Sequence, residues 1–573
     1  MLLSNMELLA TAPGGVAKLR ELILTLAVQG KLVPQDPADE PAGVLLQRLA
    51  SQRGASFAKI SKREQESASV TAPYVLPQSW EWVRLGDVVE NMGSGWSPAC
   101  EEGARTDPQK WAVLRTTAVQ LNEYRPHEHK VIPSKLTPRP EIEVKNGDVL
   151  ITRAGPLNRV GISCWVNDTP PRLMLSDKIV RFHAIGDELL PAFIVLALNA
   201  GWTKSQIEVA KTGMAASQVN ISQADLKALV LPVCSKTEQS RIVTRVEALM
   251  RLCDALEVKG QLEATQHAQL VSTLLGTLTA SATPDELADH WQRVAQHFDL
   301  LAGRPEAIDA LEQTLLQLAV RGLLVPQDPT DEPASALLQR IRAEKDRLIA
   351  TGQIKRDKPL SAITDEEKPF ELPVGWEWVR INDLAEVQGG IQKTQLRTPV
   401  KQHFPYLRVA NVQRDALRLE EIERFELTME ELERWRLVAG DLLIVEGNGS
   451  AEEIGRCAVW TGAIDPCVYQ NHLIRVRCFQ QECMAFIKLF LNAPSGAEEM
   501  KRLAITTSGL YNLSVGKIRN YAVPMAPLAE QSRIVTRVTA LRRLCADLRH
   551  RLAEREAVQA RLAEALVQQQ AFA

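Results

Sequence analysis

The chain has 573 residues, 45% of them hydrophobic and 24% charged, a composition that fits a soluble globular protein large enough for several domains. With 67 Lys and Arg against 70 Asp and Glu, its net charge of −3 argues against a protein that coats nucleic acid without sequence preference. No run of about 18 apolar residues occurs, so no membrane span is expected. Met1 to Glu7 does not read as a signal peptide, and nine scattered cysteines without a Cys-x-x-Cys pair suit a reduced cytoplasm.

In chain order, Leu19, Leu22, Ile23 and Leu26 have helical spacing, and Gly30 supplies a stop. Val33 to Pro37 must be extended or turned, because each proline restricts the residue before it. Ala42 to Leu49 predicts a second short helix, closing an N-terminal helical region over 1–50. Residues 51–75 are polar and read as a linker. From 76 to 232, short β-rich runs such as Val113–Arg115 and Asp148–Ile151 alternate with turns, and Ala192–Leu198 predicts a helix. A central helical region follows over 233–349, then a linker over 350–370. A second β-rich block spans 371–526, with a strand at Leu442–Val445 and a helix at Met484–Leu491. The C-terminal region, 527–573, is helical.

That order is one plan written twice. Glu238 to Val246 recurs unchanged as Glu530 to Val538, and 15 of 20 residues match between 238–257 and 530–549. Val28–Pro41 matches Val320–Pro333 at 11 of 14 positions, and Trp80–Arg84 returns as Trp376–Arg380. The offset of 292 to 296 residues marks a duplicated domain rather than a short solenoid repeat. Between the matched blocks the halves differ almost everywhere, so the two domains are expected to share a fold and differ in surface. In the second copy Ile534, Val538, Leu541, Cys545, Leu548 and Leu552 form a heptad seam. The first copy steps Ile242, Val246, Leu249, Cys253, Leu256 and loses register near Gly260. Seams repeated in one chain predict that the two long helices pair with each other. The predicted class is α+β: two mixed α/β domains separated by long helices in an antiparallel coiled coil, with internal pseudo-twofold duplication.

A search for chemistry finds little. No phosphate-cradling Gly-x-x-x-x-Gly-Lys loop, dinucleotide turn, His-Glu-x-x-His or Gly-x-Ser-x-Gly is present. Cys457, Cys467, Cys478 and Cys483 lack zinc spacing. Asp441 and Glu446 flank a strand in the manner of a nuclease pair, but Gly447 and Asn448 stand where a lysine is needed. No catalytic residue, metal or cofactor is assigned; the pattern is that of a binding protein.

Two stretches are basic. Arg105–Arg181 carries 13 Lys and Arg against 8 acids, and Lys393–Arg418 six against one. After the Gly-Asp strands come loops in different alphabets, Arg153 to Arg159 in one copy and Glu446 to Ser450 in the other. Arginine suits guanine and asparagine suits adenine. Candidate DNA contacts are Lys110, Arg115, Arg153, Asn158, Arg159 and Lys178 in the first block, and Lys393, Arg408, Asn448, Ser450, Asn471 and His472 in the second. Trp80, Trp82, Trp376 and Trp378 could stack on bases, but identical residues suit a packed opening strand better. Gln239, Arg241 and Arg245, repeated as Gln531, Arg533 and Arg537, are candidate contacts for two equal partners.

Three motif pairs carry a resemblance. They are Leu-Val-Pro-Gln-Asp-Pro-x-Asp-Glu-Pro at 32–41 and 324–333, Leu-Pro-x-x-Trp-Glu-Trp-Val at 76–83 and 372–379, and Glu-Gln-x-Arg-Ile-Val at 238–243 and 530–535. Together, over nearly the whole chain, they resemble the specificity subunits of type I restriction–modification enzymes. The resemblance implies two target-recognition domains, each reading one half of a bipartite double-stranded DNA target. It implies helices that space the domains and hold two methyltransferase subunits, with motor–nuclease subunits adding to that core. It implies no catalysis by this chain and no membrane. The competing expectation is a two-domain scaffold that binds protein and not DNA, separable by the salt dependence of DNA binding.

Overall fold

The computed structural model describes residues 12–52, 74–101, 103, 105, 107–281, 283–356, 358–507 and 510–572. Most of the linker expected over 51–75 lies outside the described residues. The chain divides into two compact units, one made of 1–263 with 556–573, the other of 264–555. Among the described residues no helix is long and apolar enough to cross a membrane.

Each unit holds one mixed α/β domain, and the two domains have the same strand plan. In the first, a four-stranded antiparallel sheet runs in the order 89–94, 179–184, 149–152, 163–165; in the second, 385–389, 473–478, 442–445, 457–459. The strands 149–152 and 442–445 are buried on both faces. Val149 and Ile151 enter one core and Leu150 the other, as Leu442 and Ile444 part from Leu443 and Val445. Period-two alternation sends neighbours to opposite faces. Burial on both faces explains why these strands read as unbroken apolar runs.

The strand that opens each domain pairs antiparallel with the strand that closes it. Glu81 stands opposite Val233 and Arg84 opposite Val230; Glu377 stands opposite Met525 and Arg380 opposite Ala522. Both domains are therefore clasped at matched boundaries. Pro232 and Pro524 sit within these two-stranded ribbons, where an unpaired edge tolerates a missing N–H.

The short helices Gly15–Val28 and Pro305–Val320 occupy equivalent places, as do Ala42–Gln52 and Ala334–Ala350. The long helices run Lys236–Ala280 and Leu528–Phe572, 45 residues each and about 68 Å at 1.5 Å per residue. Gly260 lies inside the first without ending it. The early part of the first long helix shares a unit with the late part of the second. Ala563 and Val567 of the second join the cluster that holds Leu249, Cys253 and Leu256 of the first.

The heptad seam needs a correction. Leu541, Cys545, Leu548 and Leu552 cluster with Ile308, Leu311 and Leu315 of the short helix Pro305–Val320, while Ile534 and Val538 enter the domain core. A heptad stripe demands an apolar partner but does not name it. The short helix of the same half, with its own 3–4 stripe, fills the seam. The region 258–290 also finds its packing: Val271, Leu274, Leu275 and Leu278 form a core with Leu287, Val294 and Leu318.

Within the stretch 350–370, expected to be a linker, residues 361–367 are fastened. The buried Arg380 guanidinium donates to Ser361 O at 2.9 Å, Ala362 O at 3.1 Å and Glu367 at 3.0 and 3.1 Å.

Candidate nucleic-acid interface and its framework

The three repeated motifs meet in space, twice. In the first half, Gln35 Nε2 donates to Glu238 Oε1 at 2.6 Å and Trp80 Nε1 donates to Glu238 Oε2 at 3.0 Å. In the second, Gln327 Nε2 donates to Glu530 Oε1 at 2.6 Å and Trp376 Nε1 to Glu530 Oε2 at 2.9 Å. Burial outweighs these hydrogen bonds and raises both glutamates above the usual carboxyl range. Beside each box an ion pair ties the proline loop to the long helix, Arg241 to Asp39 at 2.5 Å and Arg533 to Asp331 at 2.6 Å. Gly30 and Gly322 close the corner at φ of +71° and +72°; a Cβ on either would stand 2.6 Å from Pro77 or Pro373. Trp80 and Trp376 are thus framework, as the packed-strand reading holds, and are not free to stack on bases.

The box also revises the partner set. Gln239 and Gln531 are buried; Gln239 accepts from Leu190 N at 2.8 Å and donates to Cys234 O at 3.0 Å, and Gln531 donates to Ala526 O at 2.8 Å. They serve the fold rather than an exposed contact, and Arg241 and Arg533 are held by Asp39 and Asp331. Arg245 and Arg537 remain exposed. Around them the residues that are both identical in the two copies and exposed are Ser240, Thr244, Arg251 and Leu252, matched by Ser532, Thr536, Arg543 and Leu544. At 100° per residue Ser240, Thr244 and Arg251 fall on the helix face opposite the buried Ile242, Val246 and Cys253, with Arg245 and Leu252 on its flank.

The divergent loops lie where the central strand leaves each domain. Arg153 N donates to Lys178 O at 2.8 Å, and Ile221 N donates to Arg153 O at 2.9 Å. Glu446 N donates to His472 O at 2.9 Å, and Leu513 N donates to Glu446 O at 2.8 Å. The next residues, Ala154–Gly155 and Gly447–Asn448, join small three-stranded sheets with 218–220 and 510–512. The fold therefore brings Arg153, Lys178 and Asn220 together in one domain and Glu446, His472 and Asn512 in the other. Lys178, Asn220, His472 and Asn512 are exposed. Glu446 and the two asparagines were not among the sequence candidates. Glu446 was legible as the charge that opens the divergent loop directly after a fully apolar strand.

Other candidates fare differently. The Arg159 guanidinium turns inward, donating to Gln120 Oε1 at 3.0 Å and to Thr116 O and Val119 O at 2.8 Å, so it braces a loop. Lys393 pairs with Glu423 at 2.9 Å and Arg408 with the same carboxylate at 2.6 Å, beside the Tyr406 hydroxyl. Those partners hold Glu423 below the usual carboxylate range and offset the local basic surplus. Asn448 Oδ1 accepts from Ser450 N at 2.9 Å, a local turn contact. Lys110, Asn158 and Ser450 are exposed, while Arg115 and Asn471 are half-buried. The Gly-Asp pairs are turn chemistry: Asp148 accepts from Lys145 N at 2.9 Å and Asp441 from Val438 N at 2.8 Å. Asp441 is buried against Arg477 at 2.6 Å and is committed to the turn.

Comparison with known proteins decides the family. The model described as type I restriction modification DNA specificity domain matches twice, over 77–266 and 373–555. The chain belongs to that family. The specificity subunits of the type I restriction enzymes EcoEI and EcoAI from Escherichia coli are each 32% identical to it over 570 residues, 96% of this chain and 93% of theirs. A chain solved in a study of complex assembly and conformational transition of the type I R-M system aligns over 87% of this one and 99% of its own, at 18% identity and a TM-score of 0.47. The chain is thus a type I specificity subunit with two recognition domains.

Proposed function

We propose that this specificity subunit reads a bipartite double-stranded DNA target, one half with each domain, while its helices set the gap and dock two methyltransferase subunits. The observation that carries the reading is the contrast between the two halves. The framework boxes are identical, and the loops at one shared backbone position differ in charge and hydrogen-bonding type. One scaffold presenting two alphabets suits two different half-sites. Identical exposed residues on both long helices have no partner in the core and suit two copies of one partner; Leu252 and Leu544 are 47% and 60% exposed there. Half-sites one helical turn apart lie about 34 Å apart, and helices of about 68 Å can span that distance. The chain itself is proposed to be non-catalytic, to act in the cytoplasm, and to accept motor–nuclease subunits through the assembled complex.

The test is co-expression with a methyltransferase subunit and sequencing of methylated adenines. An asymmetric two-part motif with a fixed gap is expected. Methylation without such a motif, or DNA binding whose affinity is indifferent to salt, refutes the reading and leaves a protein-binding scaffold.

A further inference from the structure

We propose that Arg153 and Glu446 are the specificity-determining pair of this subunit: Arg153 reads an acceptor-bearing base edge such as that of guanine, and Glu446 the exocyclic amino group of a cytosine or adenine. The proposal rests on the reading above, that each domain faces one DNA half-site.

The two residues occupy one address. Each follows the central strand, donates its N–H to the loop carbonyl of Lys178 or His472, and accepts from Ile221 or Leu513 through its own carbonyl. At that address the copies carry opposite charge. Both side chains are half-buried, and neither has a side-chain hydrogen bond or ion pair among the described residues. Arg153 Nε is buried with no partner. Burial alone pushes the Glu446 carboxyl up to about 7. A half-buried charge left without a partner is costly to the fold and marks a position that an external group completes.

The opposite signs identify that group. DNA backbone is anionic in both half-sites, so an address that met phosphate would carry a cation in both copies. A carboxylate there would be repelled. Base edges do change sign: guanine offers N7 and O6 as acceptors, whereas cytosine and adenine offer amino donors. The neighbours Lys178 with Asn220, and His472 with Asn512, supply further polar groups beside each charge. The Lys178 side of the first domain is cationic, which suits flanking phosphates.

The experiment uses the full chain with its methyltransferase subunit and reads the methylated motif of wild type, Arg153→Gln and Glu446→Gln. Wild type must first show a two-part motif; if it does not, the function proposed above fails, whatever the variants do. Given that motif, Glu446→Gln should relax or change one base position in one half-site, with discrimination there falling about 5- to 150-fold. Arg153→Gln should do the same for one guanine in the other half-site. Uniform weakening on all sequences would make the address a phosphate contact and overturn the proposal. An unchanged motif, or change in both half-sites, would overturn it equally. Where either glutamine variant melts early, Arg153→Lys and Glu446→Asp keep the charge and move its atoms; their motifs must change at those same single positions, and unchanged motifs refute the assignment.

Discussion

Replacing Glu530 with Ala removes the one acceptor that serves both Trp376 Nε1 and Gln327 Nε2, at 2.9 and 2.6 Å. Each buried donor left without a partner costs about 1–3 kcal/mol, so two cost about 2–6. The carboxylate itself is disfavoured by burial, as its raised pKa records, and relief of that cost brings the expected loss to about 2–4 kcal/mol. Glu530→Gln keeps an oxygen for Trp376 but opposes its own NH2 to that of Gln327, for about 1 kcal/mol. Because the same box stands in the other unit, Glu238→Ala should cost the same within about 0.5 kcal/mol. Hydrogen exchange by mass spectrometry reads each unit separately, which matters where a single two-state transition is not assured. Protection should fall over 373–380 and 528–538 in one variant and over 77–84 and 236–246 in the other. A loss below about 1 kcal/mol, or a large asymmetry between the two boxes, would refute the argument that these contacts are why the three motifs recur. The pH dependence has a definite sign. Both folded-state pKa values lie above the ordinary 4.5, so folding binds protons and stability falls as pH rises from about 4.5 through the folded values. Asp39 and Asp331 push in the same direction, while Arg241 and Arg533 oppose it. Glu530→Gln should flatten that slope in its own unit only.

Exchanging 76–232 for a related recognition domain should change one half-site, because strand 81–84 pairs with 230–233, all but Val233 inside the exchanged piece; methylome sequencing reads it, and a change in both halves would contradict the division of labour. Inserting one heptad near 263 and another near 555 adds about 10.5 Å, so the gap in the methylated motif should lengthen by about three base pairs with both half-sites kept. Ile534→Asp with Leu541→Asp places charge in apolar clusters, costs several kcal/mol each, and should abolish co-purification of the methyltransferase subunit. Arg245→Glu with Arg537→Glu should weaken that co-purification while leaving the melting temperature within a few degrees, since both side chains are exposed.

The elements that sequence made legible are those whose periodicity had one interpretation. The strand Leu442–Val445 and the helices Gly15–Val28 and Met484–Asn492 follow directly from apolar runs, spacing and stop signals. The seam of the second long helix was legible as a stripe but not as a contact, because spacing states what a face wants and not which helix supplies it. Repetition misled in one respect: Gln239 and Gln531 recur because the same backbone must be bonded twice, and identity alone cannot separate that from two equal partners. The site divided similarly. Arg153 was visible as a cation after a buried strand and Lys178 as one before a strand, but the inward turn of Arg159 and the neutralisation of Lys393 and Arg408 by Glu423 depend on residues that meet only in the fold.

One further contrast between the copies bears on how so repetitive a chain pairs its helices correctly. In the first unit Arg20 of the short helix meets Glu257 of the long helix at 2.9 Å, with Asp254 at 2.7 Å. In the second unit the charges are exchanged: Glu312 of the short helix meets Arg549 of the long helix at 2.7 Å, with Asp309 at 2.6 Å. At the offset of 292, Arg20 aligns with Glu312 and Glu257 with Arg549. A short helix docked on the wrong long helix would set Arg20 against Arg549, or Glu312 against Glu257. Exposed pairs are worth only about 0.2–1 kcal/mol each, so they add little stability. Their effect is on choice, because the apolar stripes are nearly interchangeable and the like-charge arrangement is disfavoured by a similar amount on each side. Arg20→Glu should therefore lower the yield of correctly folded monomer on refolding more than it lowers the melting temperature, and Arg20→Glu with Glu257→Arg should restore the yield only in part, since the doubly exchanged first unit now carries the same signs as the second. Full restoration by the double variant would show that the local pair, and not discrimination between the copies, is what these charges provide.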